Sequence, residues 1–183
     1  MTLDRQMCDQ AKAYAVKIAR EKNLRHSSKQ ERKGQGENLS MGCSTNRAQA
    51  MEEAVTNWYN EVCDPGYQFN AGSRNGGTGH FTQVVWKEST VLGIGRAESQ
   101  EDGMKCAYIV GRYKPAGNFM GEYQQNVPKG SFNANGYCAA IKSNRFGFDQ
   151  QEDSEQVVIG KSTVDSPVQK TGSAEFRGSR KLK

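Results

Sequence analysis

The chain has two histidines, His26 and His80, and each stands out from its surroundings. His80 lies in Gly79-His80-Phe81-Thr82-Gln83-Val84-Val85-Trp86-Lys87-Glu88-Ser89, between a glycine hinge and a dense apolar patch. His26 and Glu37 interrupt an otherwise polar stretch over residues 22 to 45. Glu61 follows Trp58 by three residues on a helical pattern and shares much of its face. A carboxylate on the buried side of a helix is unusual without a partner. Neutral imidazole is a good ligand for zinc or copper. Ser27, Ser28, Thr78 and Thr82 neighbour a histidine and are candidate nucleophiles. Neither a metal-binding HExxH helix nor a G-x-S-x-G elbow accompanies them. The plain alternatives are a capping or core role for His80 and a bordering role for Glu61. Spacing alone does not bring these four residues together.

Several elements must position them. Leu3, Met7, Ala11, Tyr14 and Ile18 recur every three or four residues and predict an opening helix, with no capping residue leading into it. The polar stretch from 22 to 45 reads as a long loop. A second helix, capped near Thr45 or Asn46, carries Met51, Val55, Trp58 and Val62 as its apolar stripe. Asp64-Pro65-Gly66 ends it. Gly76-Gly77-Thr78 is a flexible approach whose threonine can cap a short helix bearing Phe81, Val84 and Val85. Val91 to Gly95 and Cys106 to Gly111 read as strands, with Ala97 to Gly103 as the turn of an antiparallel hairpin. Helices flanking such a sheet give an α+β layered domain.

At 183 residues the chain is long enough for one well-packed domain and a tail. The formal charge of +5 is scattered, and no basic run interleaved with aromatics marks a nucleic-acid groove. No segment has the apolar length to cross a membrane. The first residues carry neither an apolar secretion signal nor a Met-Gly start. Cys8, Cys43, Cys63, Cys106 and Cys138 form an odd set without a CxxC pair. They suit a reducing compartment, or one or two disulfides with a free thiol. From Lys129 onward Asn, Gly and Ser become common, Asp149 to Glu155 is acidic and the end is basic. Apolar periodicity is lost there, so residues 129–183 are expected to be a disordered tail on a domain spanning 1–128. Val157-Val158-Ile159 is its one sticky segment.

Three ordered motifs carry a family resemblance. Gly79 to Ser89 resembles the signature of the CAP (SCP) superfamily of cysteine-rich secretory, venom-antigen and pathogenesis-related proteins. Tyr108-Ile109-Val110-Gly111-Arg112-Tyr113-Lys114-Pro115-Ala116-Gly117-Asn118-Phe119 resembles its second signature, with Gly111 where secreted members usually have cysteine. Gly36-Glu37-Asn38-Leu39 matches its GEN element. The likeness spans about residues 3 to 128 and is greatest to the Golgi-associated, plant-pathogenesis-related branch.

The resemblance implies a three-layer α-β-α sandwich whose first family helix is missing, through truncation or loss. It also implies a two-His, two-Glu cleft of His26, Glu37, Glu61 and His80. There the histidines would hold a divalent metal such as Zn2+, not essential for folding, with the carboxylates orienting the rings or binding the ion. A polar cluster joining loop to helix is the alternative. Expected partners are a lipid, a sterol or an anionic membrane surface, with Trp58, Tyr59, Tyr67 and Phe69 as candidate contact residues. Protein partners and a second copy of the chain are further candidates. A secreted defence or signalling protein and a metal-dependent, protease-like hydrolase are the competing readings, and a binding role is preferred to an enzymatic one. The superfamily implies an extracellular location, and the branch implies the cytoplasmic face of membranes.

Overall fold

The computed structural model describes residues 1–70, 76–148 and 162–164. Its first helix, α1 (Arg5–Arg20), does have a cap. The Asp4 carboxylate accepts the Met7 N–H at 2.7 Å, satisfying a donor that helical bonding leaves orphaned. Met7, Ala11, Tyr14, Ala15, Ile18 and Ala19 form the buried stripe. Leu3, expected on that stripe, instead lies in the two-residue strand β1 (Thr2–Leu3) and is 69% exposed.

The polar stretch after α1 holds the main surprise. Only its first part is loop, because Gly36–Ser44 is strand β2, largely buried. Its Glu37, Asn38 and Ser40 hide the usual apolar alternation, since each is buried with a hydrogen-bonding partner. Helix α2 (Met51–Asn60) begins at Ala50, later than Thr45 or Asn46, where the Glu53 carboxylate accepts the Ala50 N–H at 2.8 Å. An irregular turn over Val62–Gly66 ends it, and the short helix α3 (Gly79–Val84) follows.

Strands β3 (Val91–Glu101) and β4 (Met104–Lys114) form a hairpin longer than expected. Its connection is Asp102-Gly103 alone, both at positive φ, the two-residue turn whose twist suits paired strands. The short helix α4 (Tyr123–Asn126) and helix α5 (Ala134–Phe148) precede strand β5 (Ser162–Val164). The sheet order is β1-β3-β4-β2-β5, with β1 parallel to β3 and the other pairs antiparallel.

Alternate residues of β4 build two cores. Cys106, Tyr108 and Val110 pack with Leu39 and Cys43 against α1. Ala107 and Ile109 face the other way, onto Ala54 and Trp58 of α2. The result is the expected three-layer α-β-α sandwich. Gly93 and Gly95 let α1 lie close on the sheet, since a methyl on either would overlap the backbone of Met7 or of Ala11 and Lys12.

The expectation of disorder from 129 does not fit residues 134–148, which form α5. Its partly buried face is Ala134, Tyr137, Cys138 and Ile141, a short apolar stripe at helical spacing. A disulfide joins Cys63 to Cys138, and Tyr137 Oη donates to Asn60 Oδ1 at 2.8 Å. A second disulfide, Cys43–Cys106, links directly opposed residues of β2 and β4, and Cys8 is free. The acidic patch, Val157 to Ile159 and the basic end lie outside the described residues.

Gly95→Ala is expected to cost about 3 kcal/mol, the scale of overpacking a close contact. Urea denaturation measures it, with a lowered midpoint and an unchanged slope as the expected result.

Candidate functional site

Glu61, just past α2, is the cap that Thr78 was expected to supply. Its Oε2 accepts the backbone N–H groups of His80 and Phe81, both at 3.0 Å. Its Oε1 lies 2.5 Å from His80 Nδ1. One carboxylate therefore satisfies the first turn of α3 and fixes the ring of its histidine. Trp58 lies parallel to the buried His80 ring, with centroids 6.1 Å apart, and its indole N–H donates to the Leu39 carbonyl at 3.1 Å. Trp58 is thus core, as its helical position predicts.

His26 has an equivalent partner. Its Nδ1 is 2.7 Å from Glu37 Oε1, which also accepts the Ser27 N–H at 3.0 Å. Glu37 Oε2 accepts from Ser27 Oγ at 2.9 Å and pairs with the Arg112 guanidinium at 3.0 Å. Arg32 stands 3.6 Å from the same carboxylate. Burial alone pushes the Glu37 carboxyl up. The His26 hydrogen bond, the Arg112 charge and the Ser27 hydroxyl outweigh it and hold the group below the usual carboxylate range. Burial and then the Glu37 charge raise the nearby Tyr14 phenol to about 12.

The four residues are therefore joined as two dyads, His26–Glu37 and His80–Glu61. Strand β2 bridges them, because Asn38, next to Glu37, donates to the His80 carbonyl at 3.1 Å and to Tyr113 Oη at 3.2 Å. Glu37 and His80 are buried, and His26 and Glu61 keep 18% and 14% of their side chains exposed. Among the described residues, no group of three or more His, Cys, Asp or Glu is arranged to hold a metal ion. One observation does fit a metal. With Nδ1 against a carboxylate, a neutral His26 presents its lone pair at Nε2, which is buried and has no hydrogen-bond partner among the described residues.

The candidate nucleophiles Ser27 and Thr82 are committed elsewhere. Ser27 Oγ donates to Glu37, and Thr82 Oγ1 donates to Asn118 Oδ1 at 2.7 Å. Asn118 Nδ2 in turn donates to the Gly79 carbonyl at 2.9 Å, and the Gly117 N–H donates to Gln83 Oε1 at 2.9 Å. The Pro115–Asn118 turn therefore locks α3 in place.

The three motifs thus meet as one hydrogen-bonded body, and comparison with known proteins accounts for it. The model of the CAP, cysteine-rich secretory protein family matches residues 1–113. This chain belongs to that family. Human Golgi-associated plant pathogenesis-related protein 1 is 36% identical over 120 residues, which are 64% of this chain and 73% of that protein. Human cysteine-rich secretory protein 3 is 34% identical over 128 residues, 65% of this chain and 50% of that protein. Venom allergen 5 2 of Polybia paulista is 38% identical over 88 residues, and the chain spans 43% of its length. The crystal structure of NaASP2 with Zn2+ superposes with a TM-score of 0.52 at 31% identity, over 66% of this chain and 63% of that one. Several relatives thus bear the names of venom and secretory proteins, and among the described residues no helix is long and apolar enough to cross a membrane.

Away from the dyads, an apolar cavity of about 290 Å³ lies between α2, α3 and the chain after α4. Tyr59, Phe69, Phe81, Val85, Val127 and Phe132 line it, with Lys87 and Lys129 at its exposed rim. Of the aromatics expected to contact a ligand, Tyr59 and Phe69 line this cavity, whereas Trp58 and Tyr67 belong to the core. The cavity itself was hidden in the sequence, because Val127 and Phe132 lie far from α2 in the chain.

Glu37→Gln should cost about 3 kcal/mol, because it leaves two guanidinium groups beside a neutral amide. The carboxyl is depressed in the folded state, so its contribution is full above the unfolded pKa and disappears as pH falls through the lower folded value. Denaturation of both proteins from pH 7 to pH 3 checks this, and the stability gap should narrow toward the acid end.

Proposed function

We propose that the protein is a binding module that takes the apolar part of an amphiphilic lipid into the cavity walled by Tyr59, Phe81 and Phe132. The observation that carries this reading is an aromatic and aliphatic pocket with two rim lysines, neither paired with a carboxylate among the described residues. Apolar walls supply affinity by surface burial, and the ammonium groups of Lys87 and Lys129 attract a carboxylate or phosphate headgroup. At about 290 Å³ the cavity sits at the lower edge of small-molecule sites and suits one acyl chain better than a whole sterol. The net charge of +5 adds attraction to anionic membrane surfaces.

Two disulfides favour an oxidising, extracellular setting over the cytoplasmic face of membranes. Hydrolysis through Ser27 or Thr82 is the weaker reading, because both donate their hydroxyl protons to fixed acceptors.

A second reading concerns metal. The unpartnered Nε2 of His26 and the carboxylate against each Nδ1 favour Zn2+ binding at His26 and His80, with Glu37 and Glu61 orienting the rings. Arg32 and Arg112 beside Glu37 oppose a dication, so the affinity is modest. Calorimetry should show zinc binding that weakens in acid and is lost in the His26→Ala/His80→Ala protein. Undiminished affinity in that variant would remove the site.

Vesicle flotation tests the lipid reading. Binding should rise with anionic lipid fraction and fall with salt. Lys87→Ala/Lys129→Ala should weaken it about thirtyfold, at about 1 kcal/mol for each of the two charges removed. Salt-insensitive binding, or none, would count against the proposal.

A further inference from the structure

Lys129 and Phe132 form the outer wall of the cavity, and the chain runs directly from them into α5. Among the described residues, one covalent bond ties that wall to the body. Cys138 on α5 is bonded to Cys63 in the turn after α2. Beside the bond are the Tyr137–Asn60 hydrogen bond and edge contacts of Phe132 and Tyr137 with Tyr59. Ala134 and Ile141 share the partly buried face of α5, whereas Asn135, Gly136, Ala139, Ala140 and Lys142 are exposed.

The two disulfides differ in access. Cys43–Cys106 lies beneath α1, with Cys106 fully buried and Cys43 9% exposed. Cys63 and Cys138 are both partly exposed. Exchange begins with attack of a thiolate on a disulfide sulfur and therefore needs access. A small dithiol reaches the second bond first.

We propose that Cys63–Cys138 is a redox latch on the cavity: its reduction releases the 129–148 wall and lowers affinity for an amphiphile. The inference rests on the lipid reading for its ligand, but not for the motion. In the chemical step one thiolate of the dithiol attacks Cys63 or Cys138 and forms a mixed disulfide. The second thiol of the reductant displaces the protein sulfur and leaves as the cyclic disulfide. Two electrons and two protons pass to the protein, and Cys63 and Cys138 end as thiols. The released wall takes with it the Phe132 ring and the Lys129 charge.

The test uses the full chain in a Cys8→Ser background, titrated with dithiothreitol. Alkylation and peptide mass mapping should find Cys63 and Cys138 reduced while Cys43 and Cys106 remain bonded. Amide exchange over 129–148, without ligand, should then quicken at least tenfold and match that of a Cys63→Ser/Cys138→Ser variant. Affinity for a dansyl-labelled fatty acid should fall about fivefold or more on reduction, and the variant should bind equally weakly with or without reductant. Unchanged exchange after reduction would overturn the latch, as would earlier opening of Cys43–Cys106. Unchanged probe affinity despite faster exchange would overturn its coupling to binding. Faster exchange with no probe bound in either state would sink the lipid reading while leaving wall release standing.

Discussion

The carboxylate of Glu61 is the contact on which the rest of the site depends. It accepts two backbone N–H groups and a ring nitrogen at the start of α3, where water has little access. Without it the N–H groups of His80 and Phe81 would lose this acceptor. With it, His80 is held against Trp58, and its carbonyl meets Asn38 of the sheet. Asn118 and Gly117 then close over α3 from the far end of β4. Motifs separated widely in sequence thus serve one network of satisfied polar groups.

That network divides the labour between the site's two histidines. Each ring is fixed by its own glutamate, but the surroundings differ. His80 packs under Trp58 with the Glu61 carboxylate at its Nδ1, whereas the Glu37 carboxylate beside His26 also faces Arg32 and Arg112. Two guanidiniums near one carboxylate leave that half of the site electropositive, a setting that disfavours a second cation. The dyads therefore serve first as joints between loop, helix and sheet. We propose that ligand recognition lies instead in the apolar cavity away from them.

Much of this was legible in the chain. The stripe Met7, Ala11, Tyr14, Ile18 marks α1, and the family motifs carry the sandwich and single out His26, Glu37, Glu61 and His80, though not which glutamate meets which histidine. What the sequence hid has physical causes. Strand β2 read as loop because its buried residues are polar and satisfied by partners distant in sequence. Helix α5 is hard to read because its stripe of Ala134, Tyr137, Cys138 and Ile141 is short, lies among Asn, Gly and Ser, and is held by a disulfide. The cap of α3 was misassigned to Thr78 because Glu61, 18 residues earlier in the numbering, reaches it only through the fold. The cavity joins residues from three separate segments, and no local pattern announces it.

The central claim is that ligand binds in the cavity and not between the histidines. A crystal structure of the oxidised protein with a terminally brominated fatty acid tests it most directly, through the anomalous signal of bromine. The account predicts a bromine peak among Tyr59, Phe81 and Phe132, with the carboxylate toward Lys87 and Lys129. A peak beside His26 and His80, with the aromatic cavity empty, would contradict it.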